Sequence, residues 1–569
     1  MEKRWIMREK VTTSVHSGIH PVVAAILASR GYTAASEIAA FLKPELAQIL
    51  DPMLLKDMEA AVVRIVLARR NNETICVYGD YDVDGITSTT LLVSFLRQVG
   101  CICRYFIPNR FDDGYGLNSD SLQECHRQGA SLVISVDCGI TSVEEALVCR
   151  QIGMDLIITD HHMPRSTIPD CCAVLNPLQP DCGYPFKGLA GVGVVFNLLI
   201  ALRAALRREG AFSTREPDLR QWLDLLAIGT IADVVPLVGQ NRIYVYHGLQ
   251  LLSRSGRPGI MALKQVARIA DPVRCGQVGF QLAPRLNAAG RMESAVPGVD
   301  LLLGSDPQTC QTLAEELDAA NAERQQIERA ILEQACTMVE QSAYPAIKSI
   351  VLASDQWHQG VIGIVASRLV ERYHRPTVLI ALDNGGTGKG SGRSVPGFHL
   401  LQAISACSST VTRFGGHRYA AGIGIRADQV ESFRSAFEAE AERLLSDDDC
   451  IPVVTIDAEV PAAEVTTELA LALKLLEPFG AGNPEPLLRM CGVTVVERRV
   501  VGEKHLRLKL TKDGRTFNAI AFGMAAVTTD GLIDIAFFPE ENSYNGATTL
   551  QLRIKELRAS KTATMGMDE

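Results

Sequence analysis

Neither a leader, a membrane span nor a paired-cysteine motif is expected from the sequence, and each expectation narrows what the chain can do. The first residues, MEKRWIMREKVTTSVHSG, hold no apolar core of the kind that opens a secreted protein, so no signal peptide is expected. No uncharged apolar run approaches the roughly 20 residues that cross a bilayer. Both absences point to a cytoplasmic protein with no membrane partner. Fifteen cysteines are scattered along the chain, yet none forms Cys-x-x-Cys, which speaks against a zinc ribbon. An odd number in a large chain without a leader fits reduced thiols, most of them small core residues. Positive charge is also short, since 56 Lys and Arg stand against 65 Asp and Glu for a net charge of −9. A surface coated for indiscriminate nucleic-acid binding is therefore excluded. A local basic groove is not, and bound metal could supply positive charge where a phosphate sits.

At 569 residues, 47% hydrophobic and 21% charged, the chain is ordinary globular material for about three or four domains. A helical-looking N-terminal segment, 1–50, comes first. From 73 to 177 apolar runs (Thr74–Tyr78, Leu132–Val136, Leu156–Thr159, Ala173–Leu175) alternate with helical patterns such as LLVSFLRQVG and TSVEEALVCRQIG. This alternation predicts a parallel sheet of βαβ units, whose functional groups gather at the carboxyl ends of the strands.

Polar residues fall at those ends. VYGDYDVDGITST places Asp80, Asp82 and Asp84 after the first run, SVDCGI places Asp137 after the second, and IITDHH places Asp160, His161 and His162 after the third. Asp80-x-Asp82-x-Asp84-Gly85 opens like a calcium-binding EF-hand loop, but its twelfth position is Leu91 rather than glutamate and a strand leads in, so that reading fails. A lone aspartate after a strand often only caps the next helix; three coincidences on neighbouring strands favour a shared site. WLDLLAIGTIADVVPL adds Asp233 at the end of an apolar helical pattern, where a helix C-terminus ordinarily favours cations. Gly191-Val192-Gly193 is a fragment of a dinucleotide fingerprint with no strand leading into it, and carries little weight.

Carboxylates with imidazole suit Mg²⁺ or Mn²⁺, the histidine tilting the choice toward Mn²⁺. More carboxylates are present than one ion needs, so two ions about 3.5–4 Å apart are expected, with phosphoester hydrolysis as the reaction class.

GDYDVDG, SVDCG, TDHH and IADVVPL, in this order, resemble motifs one to four of the DHH phosphoesterases. SGRS and GGHRYAAG resemble the associated DHHA1 domain. With APRLNAAGR and a β-rich C-terminus, the chain is similar to one branch of that family, the RecJ exonucleases. The resemblance implies that Asp84, Asp137, His161 and Asp233 hold one ion, and that Asp82 and Asp137 serve the second, Asp137 bridging and Asp80 close by. It implies that Asp160 supports the site and that His162 faces the scissile phosphate. Many relatives carry histidine where this chain has Tyr78, which implies a second ion bound more weakly or only with substrate. On the substrate side the matches are Arg110, Arg285, Asn287, Arg291, Ser391, Arg393 and His417. Arginine forks suit phosphate oxygens. The substrate implied is single-stranded DNA cut from its 5′ end to mononucleotides in recombination and repair. A single-strand-binding protein and a helicase are the implied partners.

Further along, 311–341 is strongly helical, with Ile327, Ile331, Ala335 and Val339 on one stripe, as in a helix joining two lobes. A second α/β unit follows, with glycine-rich loops in GGTGKGSGRS and FGGHRYAAG. Asp447-Asp448-Asp449 reads as a linker. The C-terminus turns to short strands, and 489–515 carries a net charge of +5. There His505, Arg507 and Lys509 alternate with Leu506, Leu508 and Leu510, which on a strand puts the basic groups on one face and the leucines inside. A small basic β-barrel, commonly an OB-fold, would make a single-strand track.

The expected fold is therefore α/β: a DHH parallel-sheet domain (51–306), a connecting helix (307–345), a DHHA1 α/β domain (346–446), then a C-terminal OB-type barrel (451–558) and a tail (559–569). Two other readings stay open. One is a phosphodiesterase for short oligonucleotides or cyclic dinucleotides, against which the extra β-domain argues. The other is a non-catalytic replication scaffold, which intact ligand motifs oppose.

Overall fold

A computed structural model describes residues 3–11, 18–109, 116–212, 215–342, 344–528, 530–544 and 547–560. The chain forms two compact units. The first takes residues 51–233 and 248–452 with the first three residues; the second takes Arg4–Leu50, Val234–His247 and Val453–Glu569.

Within the first unit, strands β1 (Thr74–Tyr78), β2 (Ile102–Phe106), β3 (Ala130–Val136), β4 (Asp155–Thr159) and β5 (Ala173–Leu175) form a sheet in the order β2-β1-β3-β4-β5, parallel throughout. β1 and β3 are buried almost along their length, as strands covered on both faces are. β2 was not foreseen. It is the exposed edge strand, Ile-Cys-Arg-Tyr-Phe, and so offers no apolar run to read. Helix α1 (Val83–Gln98) begins inside the aspartate stretch, eight residues before the LLVSF pattern, because Asp82 caps it. Helices α2 (Gly191–Arg208), α3 (Leu223–Ala232) and α4 (Ala283–Met292) complete the part that carries the site.

Helix α5 (Pro307–Glu340) starts on an Asp306 cap with proline at its first position, a favourable pairing for a helix N-terminus. Its 34 residues span about 50 Å at 1.5 Å per residue. Ile331, Ala335 and Val339 of its stripe are buried, and Ile327 partly so. A second sheet follows, built from β6 (Ile350–Ser354), β7 (Thr377–Leu382), β8 (Thr387–Arg393), β9 (Arg413–Gly416) and β10 (Ala420–Arg426), in the order β9-β10-β8-β7-β6. Helix α6 (Ile362–Tyr373) links β6 to β7. The glycine-rich segments expected as loops are mostly strands of this sheet, with Gly385, Gly386 and residues 417–419 in the turns between them. In β8 the glycines at 388, 390 and 392 take the buried face, leaving Lys389, Ser391 and Arg393 on the other. A Cβ at Gly390 would lie 2.5 Å from the Ile423 side chain on β10, so the strand can approach that closely only as glycine. Asp447–Asp449 is not an open linker, since Asp448–Cys450 forms a 3₁₀ turn and Asp449 accepts hydrogen bonds from Ser446.

In the second unit, strands β11 (Leu488–Val501), β12 (His505–Lys512), β13 (Arg515–Ala521), β14 (Leu532–Tyr544) and β15 (Ala547–Ala559) close into a barrel, with β14 pairing both β15 and β11. Leu506, Leu508 and Leu510 point inward and are buried, while Arg507 and Lys509 are exposed. The N-terminal segment folds with this barrel. Arg4–Met7 pairs in parallel with Val453–Ile456, and Val23, Ile26, Leu27 and Ile38 join the barrel core. Arg242, fully buried, donates to the carbonyls of Phe41, Leu475, Leu476 and Glu477 and lies 3.9 Å from the centre of the Phe41 ring. Among the described residues no helix is long and apolar enough to cross a membrane.

Candidate metal centre

The carboxyl ends of β1, β3 and β4, with the end of α3, bring seven of the expected groups together. Asp82 is the N-cap of α1, its Oδ1 accepting from the backbone N–H of Asp84 (2.9 Å) and Gly85 (3.1 Å). The cap turns the chain so that Asp84 faces inward, where it is 1% exposed. Asp137 leaves β3 with φ +62°, a left-handed conformation that is uncommon outside glycine and clusters at functional sites. His161 leaves β4, and Asp233 caps the C-terminus of α3. The His161 Nε2 stands 3.1 Å from an Asp137 oxygen, 3.4 Å from Asp233 and 3.8 Å from Asp84. Ligand atoms of Asp84, His161 and Asp233 lie within 4.8 Å of one another, as do those of Asp80, Asp82 and Asp137, and those of Asp137, His161 and His162.

The electrostatics of this cluster call for a cation. Burial raises Asp84 to about 7, and the Asp82 charge adds to it; the N–H groups of Val192 and Gly191 pull the other way. Burial also raises Asp137 and Asp233 well above the usual carboxylate range, with Asp84 the next cause for each. His161 is lowered to about 4 by burial and then by the charge of His162, so it is neutral at ordinary pH. Asp137 Oδ1, His161 Nε2 and Asp233 Oδ2 are buried without a hydrogen-bond partner among the described residues. A lone pair aimed among carboxylate oxygens, with no donor between them, is the chemistry of a metal site. The donor set of oxygens and one imidazole fits Mg²⁺ or Mn²⁺.

Asp160 is already saturated. It accepts from the N–H of Ile140, His161 and His162 and from the His162 ring at 2.8 Å. Burial pushes Asp160 up, but the His162 bond and charge outweigh it and hold it at about 2. His162 mirrors this: burial lowers it, but Asp160 wins and carries it to about 9. His162 is thus a cation at neutral pH, fixed by Asp160 and 44% exposed at the edge of the cluster.

The expected substrate residues divide. Ser391 and Arg393 sit side by side on β8, 3.2 Å apart. His417 lies near enough for its pKa to be lowered, by desolvation first and then by the charges of Arg393, His162 and His399. Asn287 accepts from the Val83 N–H at 3.1 Å, tying α4 to the aspartate turn, and Arg291 reaches the Gly360 carbonyl at 3.3 Å. Arg285 is instead held by Asp318 at 2.8 Å and the Gln281 carbonyl. Arg110 lies outside the described residues. Tyr78 is buried in the core against Phe106.

Family profiles match three stretches: "DHH family, N-terminal domain" over 74–230, "DHHA1 domain" over 346–443 and "RecJ OB domain" over 456–556. The single-stranded-DNA-specific exonuclease RecJ of Bacillus subtilis is 38% identical over 562 residues, 97% of this chain and 70% of that protein. Its Escherichia coli counterpart is 37% identical over 98% of this chain and 97% of that protein. The chain belongs to the RecJ family. The fold agrees: RecJ of Thermus thermophilus in complex with Mn²⁺ superposes with a TM-score of 0.84 at 32% identity, over 98% of this chain and 80% of that one. A Mg²⁺ complex of the same protein gives 0.78.

One contributor the sequence reading passed over belongs to this RecJ-family site. The discounted Gly191-Val192-Gly193 is the N-terminus of α2, and its Gly191 and Val192 N–H groups donate to Asp84 at 2.6 and 2.9 Å. A Cβ at Gly191 would sit 2.6 Å from Asp137 Oδ1. The usable signal was a glycine pair opening a long apolar helix, a ready anion cradle.

Proposed function

We propose that this chain is a metal-dependent exonuclease that degrades single-stranded DNA from its 5′ end to mononucleotides. Asp84, His161 and Asp233 would hold one divalent ion and Asp80 with Asp82 a second, with Asp137 in reach of both groups. The observation that carries this is the buried, donor-free convergence of Asp137, His161 and Asp233. Divalent ions bound there supply Lewis acidity toward a phosphodiester and make a water more acidic. The chain's own residues do the rest. Protonated His162, pinned through Nδ1 by Asp160, offers its Nε2 proton to the scissile phosphate. Arg110, near the 5′ end of the strand, joins Ser391, Arg393 and His417 in receiving the terminal phosphate, with Arg285, Asn287 and Arg291 along the strand.

The barrel supports a strand rather than a dinucleotide as substrate. Arg499 and Arg507 are directly opposed on β11 and β12, and like charges so placed repel unless an anion lies between them. A phosphate backbone is such an anion. In this reading the enzyme acts in the cytoplasm in recombination and repair, beside a single-strand-binding protein and a helicase.

Long single strands labelled at either end, a duplex and a dinucleotide, each incubated with Mn²⁺ and the protein, test the reading. Mononucleotide release from the 5′ end of the single strand alone is expected. Release from the dinucleotide alone would mean a small-substrate phosphodiesterase, and no release a scaffold.

A further inference from the structure

Asp137 is aimed differently from the other carboxylates of the cluster. Asp84 is held by the N–H groups of Gly191 and Val192, Asp82 by those of Asp84 and Gly85, and Asp160 by three backbone N–H groups and the His162 ring. No donor among the described residues reaches Asp137 Oδ1, so its direction is set by its backbone. That backbone is left-handed, with φ +62°, and such a conformation persists only where the surroundings over-determine it.

Two buried hydroxyls do this. Ser135 interrupts the apolar run of β3 between Ile134 and Val136 and is fully buried. Its Oγ donates to the Cys138 carbonyl at 2.8 Å, closing the turn over Asp137. Thr159, equally buried at the end of β4, donates through Oγ1 to the Ser135 carbonyl at 2.8 Å, while its own carbonyl accepts the Asp137 N–H at 2.9 Å. Asp137 is thus gripped from both sides. Gly139, at φ +111°, leaves room for the hydroxyl, since a Cβ there would lie 2.9 Å from Ser135 Oγ. Packing alone does not call for serine here, because an apolar residue would fill a buried strand with no hydroxyl to satisfy. We propose that Ser135 is a positioning residue for divalent-metal binding. Through the Cys138 carbonyl it fixes the left-handed turn at Asp137 and so aims the Asp137 carboxylate into the cluster. The proposal rests on the metal-dependent reading given above.

Mn²⁺ is titrated calorimetrically into the full chain, without DNA, for wild type, Ser135→Ala and Ser135→Cys. Initial rates on a long single strand are measured beside it at limiting Mn²⁺. Ser135→Ala should bind Mn²⁺ about tenfold or more weakly, the low end for a group that orients a metal ligand, with kcat reduced and KM for the strand unchanged. Ser135→Cys, similar in size but a weaker donor, should fall between the two. A serine that only stabilises the fold would lower the melting temperature and leave the Mn²⁺ affinity of the folded protein as in wild type; that result in Ser135→Ala overturns the proposal. Should Ser135→Ala fail to fold, Ser135→Cys decides alone, weakened affinity supporting the proposal and wild-type affinity overturning it. A wild-type protein that binds Mn²⁺ but releases no mononucleotide sinks the exonuclease reading and leaves this comparison intact. One that binds no Mn²⁺ overturns both.

Discussion

Asp84 answers to two opposed demands. Two backbone N–H groups hold it as a carboxylate, while burial and Asp82 push it to about 7. It must be ionised to bind an ion, so protons compete with metal below about pH 7 and turnover should climb with pH through that range. Raising Mn²⁺ should move this limb to lower pH. In the proposed mechanism His162 acts as a cation, and its pKa of about 9 should set a second limb on which activity falls as pH rises. A bell-shaped profile with its plateau between the two values follows, checked by initial rates at two Mn²⁺ concentrations. His162→Gln should lower the plateau about 100-fold or more and remove the upper limb. An upper limb that survives in that variant rejects the assignment. The three expected ligand clusters were legible as residues because each follows directly on a buried apolar run. Their division between two ions came from the family resemblance alone, because it depends on which oxygens meet across strands.

At the scale of elements, the helix ends and sheet edges were hardest to read. The N-terminus of α2 holds Asp84 through N–H groups that every residue type carries, so only glycine hinted at it. β2 hid behind Arg104 and an exposed edge, and β8 behind alternating glycines that mimic a loop. Gly191→Ala tests the α2 contribution. Its methyl would press on Asp137 Oδ1, so Mn²⁺ affinity by calorimetry should fall about tenfold or more, with some loss of melting temperature from the overpacked contact. Unchanged affinity would leave α2 a packing helix only. On the barrel, Arg507→Ala relieves the repulsion with Arg499 and removes one phosphate contact. Strand affinity should drop, and the slope of log affinity against log salt should lessen by about 0.7. An unaltered slope would take Arg507 out of the track.

For the whole molecule, alternation of runs made the sheet domains, the long helix and the basic strands of the barrel legible far apart in sequence. The composition of the second unit was not, since it joins three segments through contacts no local pattern announces. Arg30 pairs with Asp457 at 3.0 Å, and Arg242 gathers carbonyls from both sides of the chain. Arg242→Met should therefore cost this unit about 3 kcal/mol, as buried carbonyls lose their donor, seen as an earlier denaturant transition. The same variant should keep its Mn²⁺ affinity, because the metal cluster belongs to the first unit. The central claim is that Asp137, common to two ions, drives hydrolysis of single-stranded DNA. Its most direct test is the rate of mononucleotide release from a long 5′-labelled strand at saturating Mn²⁺ by wild type and Asp137→Ala. The rate should fall about 1,000-fold or more with an unchanged melting curve. A folded Asp137→Ala protein that still degrades the strand at a comparable rate would contradict it.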